Sequence, residues 1–188
     1  TTIEQSLWHA VPEFIRGLDK LTQEHCEKSL PLEIAPIRFA SWMGGDRDGK
    51  PNVTHQVTQE VLWLSRWKAS AELQQTLGYQ HAEPYREYLR ETRQRLRLTR
   101  DWLAHQLRGK FSDIDPSQII RHKDELLGPL MICYRSLMDC NLAEIANGRL
   151  LDFIYRVNCF GIELLRLDIR QESGRHRQAI SAITEYLG

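Results

Sequence analysis

Charged and aliphatic residues alternate near the C-terminal end of the sequence, in the run from Leu165 to Arg170. In an extended strand, successive side chains point to opposite sides, so this run would separate charged from aliphatic side chains. One face would carry Arg166, Asp168 and Arg170, and the other Leu165, Leu167 and Ile169. Charges on a buried face need partners or a charged ligand. A barrel strand whose polar face points inward near the active-site end would meet that need.

Arg170 is at the end of this predicted strand, where an enzyme would hold an anionic substrate. A guanidinium group suits phosphate and carboxylate because its planar fork donates two parallel hydrogen bonds. Asp168 would then orient a neighbouring arginine. The alternative is an internal ladder of ion pairs that binds no ligand, and the residues alone favour neither interpretation.

A loop rich in glycine and aspartate, at residues 44–49, is the second candidate site. It follows the first predicted strand, and its three glycines exclude a continuous helix or strand. A calcium loop of the EF-hand type is excluded because its first and last ligand positions would hold Gly44 and His55, neither of them acidic. The loop either lies near a magnesium ion or an anion, or is a tight turn stabilised by its own charged residues. The residues alone favour the tight turn.

Two strands and several helices must position these groups. The strands are predicted near residues 37–42 and 162–169, with a helical insertion between them. Two strands make too small a sheet to be stable alone, so we expect both to need partners from outside the chain. The predicted fold class is mainly α with two strands, as a piece of a larger parallel sheet or barrel.

Apolar residues at three- and four-residue spacing predict the helices. They cover about residues 2–28, 54–76, 84–109, 124–146, a shorter stretch through 151–157, and 173–186. A capping box at Thr2 and Gln5 would begin the first helix, and Pro12 is expected to kink or restart it. Asn147-Gly148 is expected to end the fourth. The five tryptophans fall mostly on apolar faces and are expected in the core.

The charge balance argues against two classes of partner. The 188 residues include 25 Lys and Arg and 25 Asp and Glu, so no net field attracts nucleic acid or an anionic membrane. A stripe of arginines along the third predicted helix is interleaved with acidic residues, which favours a salt-bridged, solvated face over a nucleic-acid surface. No apolar run is long enough to span a bilayer. The four cysteines lack metal-site spacing and are expected to be reduced thiols of a cytoplasmic protein.

Two motifs are similar to hallmarks of the phosphoenolpyruvate carboxylase family. The first lies within residues 36–54 and contains Ser-Trp-Met-Gly-Gly-Asp-Arg-Asp-Gly; the second, at residues 165–173, is Leu-Arg-Leu-Asp-Ile-Arg-Gln-Glu-Ser. Weaker likeness in family order, at residues 6–12, 64–69, 145–148 and 159–161, extends the resemblance over nearly the whole chain. The chain is therefore identified as an internal piece of a bacterial-type member.

The resemblance implies a helix-rich enzyme built around an eight-stranded α/β (TIM-like) barrel that includes both strands. It implies carboxylation of phosphoenolpyruvate by bicarbonate, giving oxaloacetate and phosphate with Mg²⁺ or Mn²⁺, in a cytoplasmic homotetramer regulated by metabolites. The implied site residues are Arg170, Arg166 and Asp168 at the substrate phosphate, and Gly45, Asp46, Arg47 and Asp48 in a loop near the substrate.

Parts of the family's active site are absent from this sequence, among them its catalytic histidine motif and its acidic metal ligands. We therefore expect this piece alone to be inactive and to bind no magnesium tightly. The alternative is a stand-alone helical interaction or effector-binding module that kept the motifs without catalysis. Lys50 replaces the family's usual asparagine, and the stretch between Trp67 and Pro84 is shorter than in typical bacterial members.

Overall fold

The fold is mainly helical, as the apolar periodicity predicts. It is a computed structural model that describes residues 3–48, 52–77 and 83–187, so the capping box proposed at Thr2 lies outside the described residues. The helices are α1 (Trp8–Cys26), α2 (His55–Leu77), α3 (Glu83–Tyr88), α4 (Arg90–Leu107), α5 (Asp124–Asp139), the single turn α6 (Ala143–Ile145), α7 (Leu151–Phe160) and α8 (Ser173–Leu187). The strands are β1 (Ala40–Ser41) and β2 (Arg166–Leu167).

The core forms where α7 packs on both α1 and α5 and where α2 packs on α4. Its fully buried side chains are large and aliphatic or aromatic, which gives the apolar contacts that stabilise a helical fold. They include Ile15, Leu73, Leu96, Leu126, Leu130, Phe153 and Ile154. The same core holds Phe160 against Phe39, with ring centroids 5.0 Å apart, and so fixes the chain that leads into β1.

Pro12 leaves the carbonyl oxygen of Trp8 without its helical donor, because proline has no N–H. Nε of Arg156 donates to that oxygen at 2.8 Å, and Cζ of Arg156 lies 5.8 Å from the centroid of the Trp8 ring. This substitute bond lets α1 run through Pro12 without restarting. A π-helical turn, Ile3–Leu7, precedes α1 instead.

The face predicted for the third helix is confirmed by burial. Its members at three- and four-residue spacing are Tyr85, which is partly buried, and five buried residues: Leu89, Thr92, Leu96, Thr99 and Leu103. The helix itself is divided, with α3 ending at Tyr88 and α4 beginning at Arg90.

The prediction of one helix over residues 124–146 is wrong. Helix α5 ends at Asp139, and Asn141 has φ +58°, in the left-handed region that stops a helix. The Asn141 and Leu142 N–H groups donate back to Met138 and Leu137, closing the final turn at 3.0 and 2.9 Å. The interruption predicted at Asn147-Gly148 is present, but it does not end α5: Gly148 has non-helical dihedral angles, φ −80° and ψ −130°, at a kink within the turn Ala146–Leu150 that leads into α7.

The two strands pair with each other in parallel, and the expectation that this two-stranded sheet needs further partners from outside the chain stays a prediction. Ala40 is opposite Arg166, and Ser41 is opposite Leu167. The N–H of Arg166 donates to Phe39 at 2.9 Å, and that of Asp168 to Ser41 at 2.8 Å. Both strands are shorter than predicted. The left-handed backbone of Leu164, at φ +62°, delays the start of β2.

Helix α8 follows β2 as predicted, but none of its side chains is buried among the described residues. Ile180, Ile183 and Leu187 are more than half exposed. No helix in the described ranges combines the length and apolar character needed to cross a membrane.

Candidate functional site at the C-terminal end of the strand pair

The loop after β1 is a tight turn, as its residues alone predict. The N–H groups of Gly45 and Asp46 both donate to the carbonyl oxygen of Trp42 at 2.9 Å. Gly44 has φ +80°, and a Cβ atom there would lie 2.6 Å from Cγ2 of Val61 in α2. Only glycine fits both the backbone conformation and this close approach.

The turn is joined to the end of β2, so the two sequence motifs form one structure. The N–H of Arg170 donates to Gly45 at 2.9 Å, and the N–H of Arg47 donates to Arg170 at the same distance. Asp46 and Arg170 form a parallel bridge that continues the pairing of β1 with β2. A Cβ atom on Gly45 would lie 2.4 Å from the carbonyl oxygen of Asp168, so this contact requires glycine.

The Arg170 guanidinium is held in place by two neighbours. Its Nε and Nη2 atoms each lie 3.0 Å from Oδ2 of Asp168, and its Cζ is 4.8 Å from the centroid of the Trp42 ring. The ion pair is about half exposed, at 51% for Arg170 and 48% for Asp168. Among the described residues, then, this charged face is open to solvent, unlike the buried strand face that the alternation suggested.

Trp42 was missed because tryptophans on apolar faces were expected in the core. It is 57% exposed and lies against Arg170, whereas Trp8 is 3% exposed and does belong to the core. Its position two residues before Gly44, at the start of the glycine loop, is the signal that could have separated it from the others. A ring over a guanidinium stabilises the cation and limits its rotation.

Arg47 extends away from Arg170 towards α2. Its Nη2 donates to Oγ1 of Thr58 at 2.9 Å, and that hydroxyl group donates to the carbonyl oxygen of Gly44 at 2.8 Å. Thr58 is 5% exposed. The pair therefore anchors the loop to α2, and Thr58 is a second residue that sequence reasoning missed. A polar residue on the mostly apolar side of a helix was the available signal.

Of the remaining predicted site residues, Asp48 lies in the same loop, where its N–H is 3.4 Å from Oδ1 of Asp46. Arg166 is not brought to this end. It lines a cavity at the opposite end of the strand pair. No group of three or more His, Cys, Asp or Glu side chains in the described ranges is arranged to hold a metal ion.

Residues 1–79 and 68–188 match the model of the family described as phosphoenolpyruvate carboxylase. The chain belongs to the phosphoenolpyruvate carboxylase family. The resemblance found in the two motifs is confirmed, and these motifs form the joined loop and strand end described above.

Curated phosphoenolpyruvate carboxylases align with 99–100% of this chain. The protein of Acinetobacter baylyi is 69% identical over 208 positions, and that of Acinetobacter baumannii is 66% identical over 207. The protein of Marinobacter nauticus is 47% identical over 206. In each case the chain spans 23% of the relative's length, or about a quarter.

The alignments are longer than this chain, which has 188 residues. These relatives therefore carry residues inside the aligned region that this chain lacks. The family model also matches in two segments, which overlap at residues 68–79. Both findings support the prediction of a shortened stretch between Trp67 and Pro84.

Proposed function

We propose that this chain is part of a phosphoenolpyruvate carboxylase that joins bicarbonate to phosphoenolpyruvate, and that Arg170 binds the substrate phosphate. The observation that carries the proposal is the fixed guanidinium at the end of β2. Asp168 and Trp42 hold it, and it remains half exposed beside the glycine loop. Membership of the family supplies the reaction, and the position of Arg170 supports its role.

Arg170 keeps donors free for an anion. A guanidinium group has five N–H donors, and Asp168 accepts from only Nε and Nη2, both through Oδ2. The remaining N–H groups, including those of Nη1, are left to donate to phosphate oxygens. Because Asp168 and Trp42 restrict the side chain in advance, less conformational freedom is lost when the substrate binds.

The loop residues Gly45 and Arg47 would hold Arg170 in position without contacting the substrate. Gly45 joins the loop backbone to β2, and Arg47 anchors it to Thr58, so both act through the position of Arg170 rather than on the substrate. Asp46 and Asp48 stay predicted substrate-proximal residues. A catalytic role for Arg166 stays a prediction that its position, in a separate cavity, does not support.

Family membership implies a divalent metal ion in the full-length enzyme, Mg²⁺ or Mn²⁺, which would stabilise developing negative charge on the substrates. Asp46, Asp48 and Asp168 do not converge as a ligand set, and Asp168 is paired with Arg170. We therefore expect the metal ligands outside this chain and assign no step to the metal here. The cytoplasmic location, metabolite regulation and homotetrameric assembly also stay predictions.

The test is Arg170→Gln in the full-length enzyme, measured by phosphoenolpyruvate- and bicarbonate-dependent oxaloacetate formation. Losing charge-assisted hydrogen bonds to phosphate is expected to lower kcat/KM by about 10- to 100-fold. Arg170→Lys should restore part of this because it returns the charge without the planar fork.

Arg97→Gln, at an exposed position of α4, is the matched control and should leave the kinetics unchanged. Normal kinetics in Arg170→Gln would refute the proposed role. The isolated 188-residue chain should form no oxaloacetate, and activity of that chain would refute its being only part of the enzyme.

A further inference from the structure

A cavity of about 270 Å³ lies at the N-terminal end of the strand pair, away from the side chain of Arg170. Its walls come from the chain before β1, from the turn between α7 and β2, and from the start of α5. The volume is slightly below the roughly 300 Å³ at which pockets for drug-sized ligands begin. An occupant would therefore be a small ion or metabolite.

Four cations line this cavity: Arg38, Arg121, Lys123 and Arg166. Within residues 3–48, 52–77 and 83–187, none of their side chains forms an ion pair or a side-chain hydrogen bond. Two acidic residues, Asp124 and Glu163, also line it, so positive charge is in excess. Like charges in a concave site reinforce one another's potential and attract an anion.

The cations lie close to a buried wall. Burial raises the pKa of the Cys159 thiol, and the charges of Lys123 and Arg38 act in the opposite direction. Both cations are therefore near enough to Cys159 to affect its ionisation. Phe160 and Ile162 complete this apolar wall, and Arg38, Arg121 and Arg166 are exposed to solvent around it.

Asn158 also lines the cavity. It is 4% exposed, and its Nδ2 donates to the carbonyl oxygen of Leu32 at 2.8 Å. This bond joins the end of α7 to the segment that precedes β1, so two walls of the cavity are held together.

The backbone that carries two of the cations is fixed. The N–H groups of Arg121 and His122 donate to Oε1 of Glu125 at 2.8 and 2.9 Å, and Arg95 pairs with Oε2 of the same residue. Lys123 directly precedes α5, whose N-terminal dipole adds positive potential at this wall. The cationic side chains thus lie on a backbone that is already in place, without ion-pair partners in the part of the chain that the structure describes.

We propose that this cavity binds a phosphate group, free or as a small monoester, at a site separate from Arg170. The phosphate oxygens would pair with the four cations. The proposal goes beyond the carboxylation reaction and does not depend on it.

The test counts phosphate sites on the full-length enzyme by equilibrium dialysis with radiolabelled inorganic phosphate. The wild-type enzyme is expected to bind two phosphates per subunit, one at Arg170 and one in the cavity. The double variant Arg121→Gln/Lys123→Gln should lose the cavity site, with at least a tenfold weaker affinity there, and retain the other. Arg170→Gln should do the reverse. A control that removes equal charge from exposed positions, Arg97→Gln/Lys110→Gln, should keep both sites.

Competition with glycerol 3-phosphate tests which form of phosphate the cavity binds. If glycerol 3-phosphate displaces the radiolabelled phosphate from the cavity, the site accepts monoesters; if it does not, the site binds the free ion. A single wild-type site that is lost only in Arg170→Gln would overturn the proposal. So would a cavity variant that keeps both sites, or one that unfolds at a lower temperature without any change in phosphate binding. The last result would mean that carboxylates from the rest of the enzyme fill the cavity.

Discussion

The arginines at the two ends of the strand pair have different surroundings. At the C-terminal end, Arg170 has a carboxylate partner in Asp168 and an aromatic partner in Trp42. At the N-terminal end, Arg166 and three other cations share a cavity without an ion-pair partner in the described ranges. Arg166 and Arg170 are four residues apart on one strand segment, so side-chain alternation alone cannot distinguish them.

The difference lies in what each end receives from the rest of the chain. The glycine loop folds back to hydrogen-bond β2 at Arg170, and it brings Trp42 with it. No comparable loop closes over Arg166 among the described residues; the start of α5 adds further positive charge instead. A charged strand face is therefore a weak indicator of function until the elements packed around each end are known.

The largest expected effect on kcat/KM comes from Gly45→Ala, which would disrupt the contact between the glycine loop and β2 at the C-terminal end of the strand pair. The added Cβ would lie 2.4 Å from the carbonyl oxygen of Asp168 and 3.1 Å from Cγ of Leu167, so the loop must move away from β2. A displacement of about 1 Å at a site can cost about 100-fold in rate. We expect kcat/KM of the full-length enzyme to fall by at least about that factor, while phosphate binding at the cavity is unchanged.

Gly17→Ala is the matched control, because a Cβ on Gly17 meets no atom within 4 Å. It lies inside α1, where alanine favours the helix, and should leave kcat/KM unaltered. Near-normal activity in Gly45→Ala would mean that the close approach of loop and strand does not position Arg170.

Much of the helical architecture could be predicted because burial follows a local period. The buried face of α4 follows directly from the spacing of Leu96, Thr99 and Leu103. The break after α5 could not be predicted in this way, since Asn141 also fits the helical register and its left-handed backbone depends on the local turn. The pairing of β1 with β2 depends on tertiary packing between distant segments, which no local pattern reveals.

The candidate site was predictable in its charged residues and not in its supports. Arg170 and Asp168 follow from alternation, because each is a charge at a strand end. Thr58 and Trp42 have ordinary residue types at ordinary spacing, and they matter only because the glycine loop lies between them. The joining of loop and strand by backbone hydrogen bonds leaves no side-chain signature in either motif.

A smaller effect on the C-terminal end is expected from Thr58→Val. Valine has nearly the same shape, but it leaves the carbonyl oxygen of Gly44 and Nη2 of Arg47 without the hydroxyl group that now joins them. Losing buried hydrogen bonds costs about 1–3 kcal/mol, and we expect about a tenfold fall in kcat/KM. Since Thr58 acts through the loop, Thr58→Ser should restore most of the activity.

Thr99→Val separates positioning from general stability. Thr99 is 2% exposed and also makes two hydrogen bonds, to the N–H of Ile120 and the carbonyl oxygen of Arg95, but it lies away from the loop. The variant Thr99→Val should lower the unfolding temperature about as much as Thr58→Val does and have little effect on kcat/KM. Equal kinetic losses in the two variants would remove the case for a loop-specific role.

The smallest expected effect comes from Glu125→Gln, which would weaken the hydrogen bonds that hold the backbone of Arg121 and His122 at the N-terminal end of the strand pair. Burial raises the pKa of Glu125, but hydrogen bonds from Arg121, His122 and Arg95 together outweigh it, so the net pKa is lowered. A lowered pKa means that the carboxylate stabilises the fold above its unfolded pKa of about 4.3, and that this is lost as the pH falls below it. The side chain is partly exposed, so we expect only about 1 kcal/mol.

Hydrogen exchange of the Arg121 and His122 amides, measured by mass spectrometry on the full-length enzyme, would check this. Exchange should be faster in Glu125→Gln than in the wild type at pH 7, and the difference should shrink as the pH approaches 3 once intrinsic rates are corrected. Asp124→Asn removes a charge from the same helix end without removing a hydrogen bond, so it should change the exchange rates of these two amides less than Glu125→Gln does. If KM for phosphoenolpyruvate rose together with the exchange rate in Glu125→Gln, the two ends would be coupled, and treating them as independent sites would be wrong.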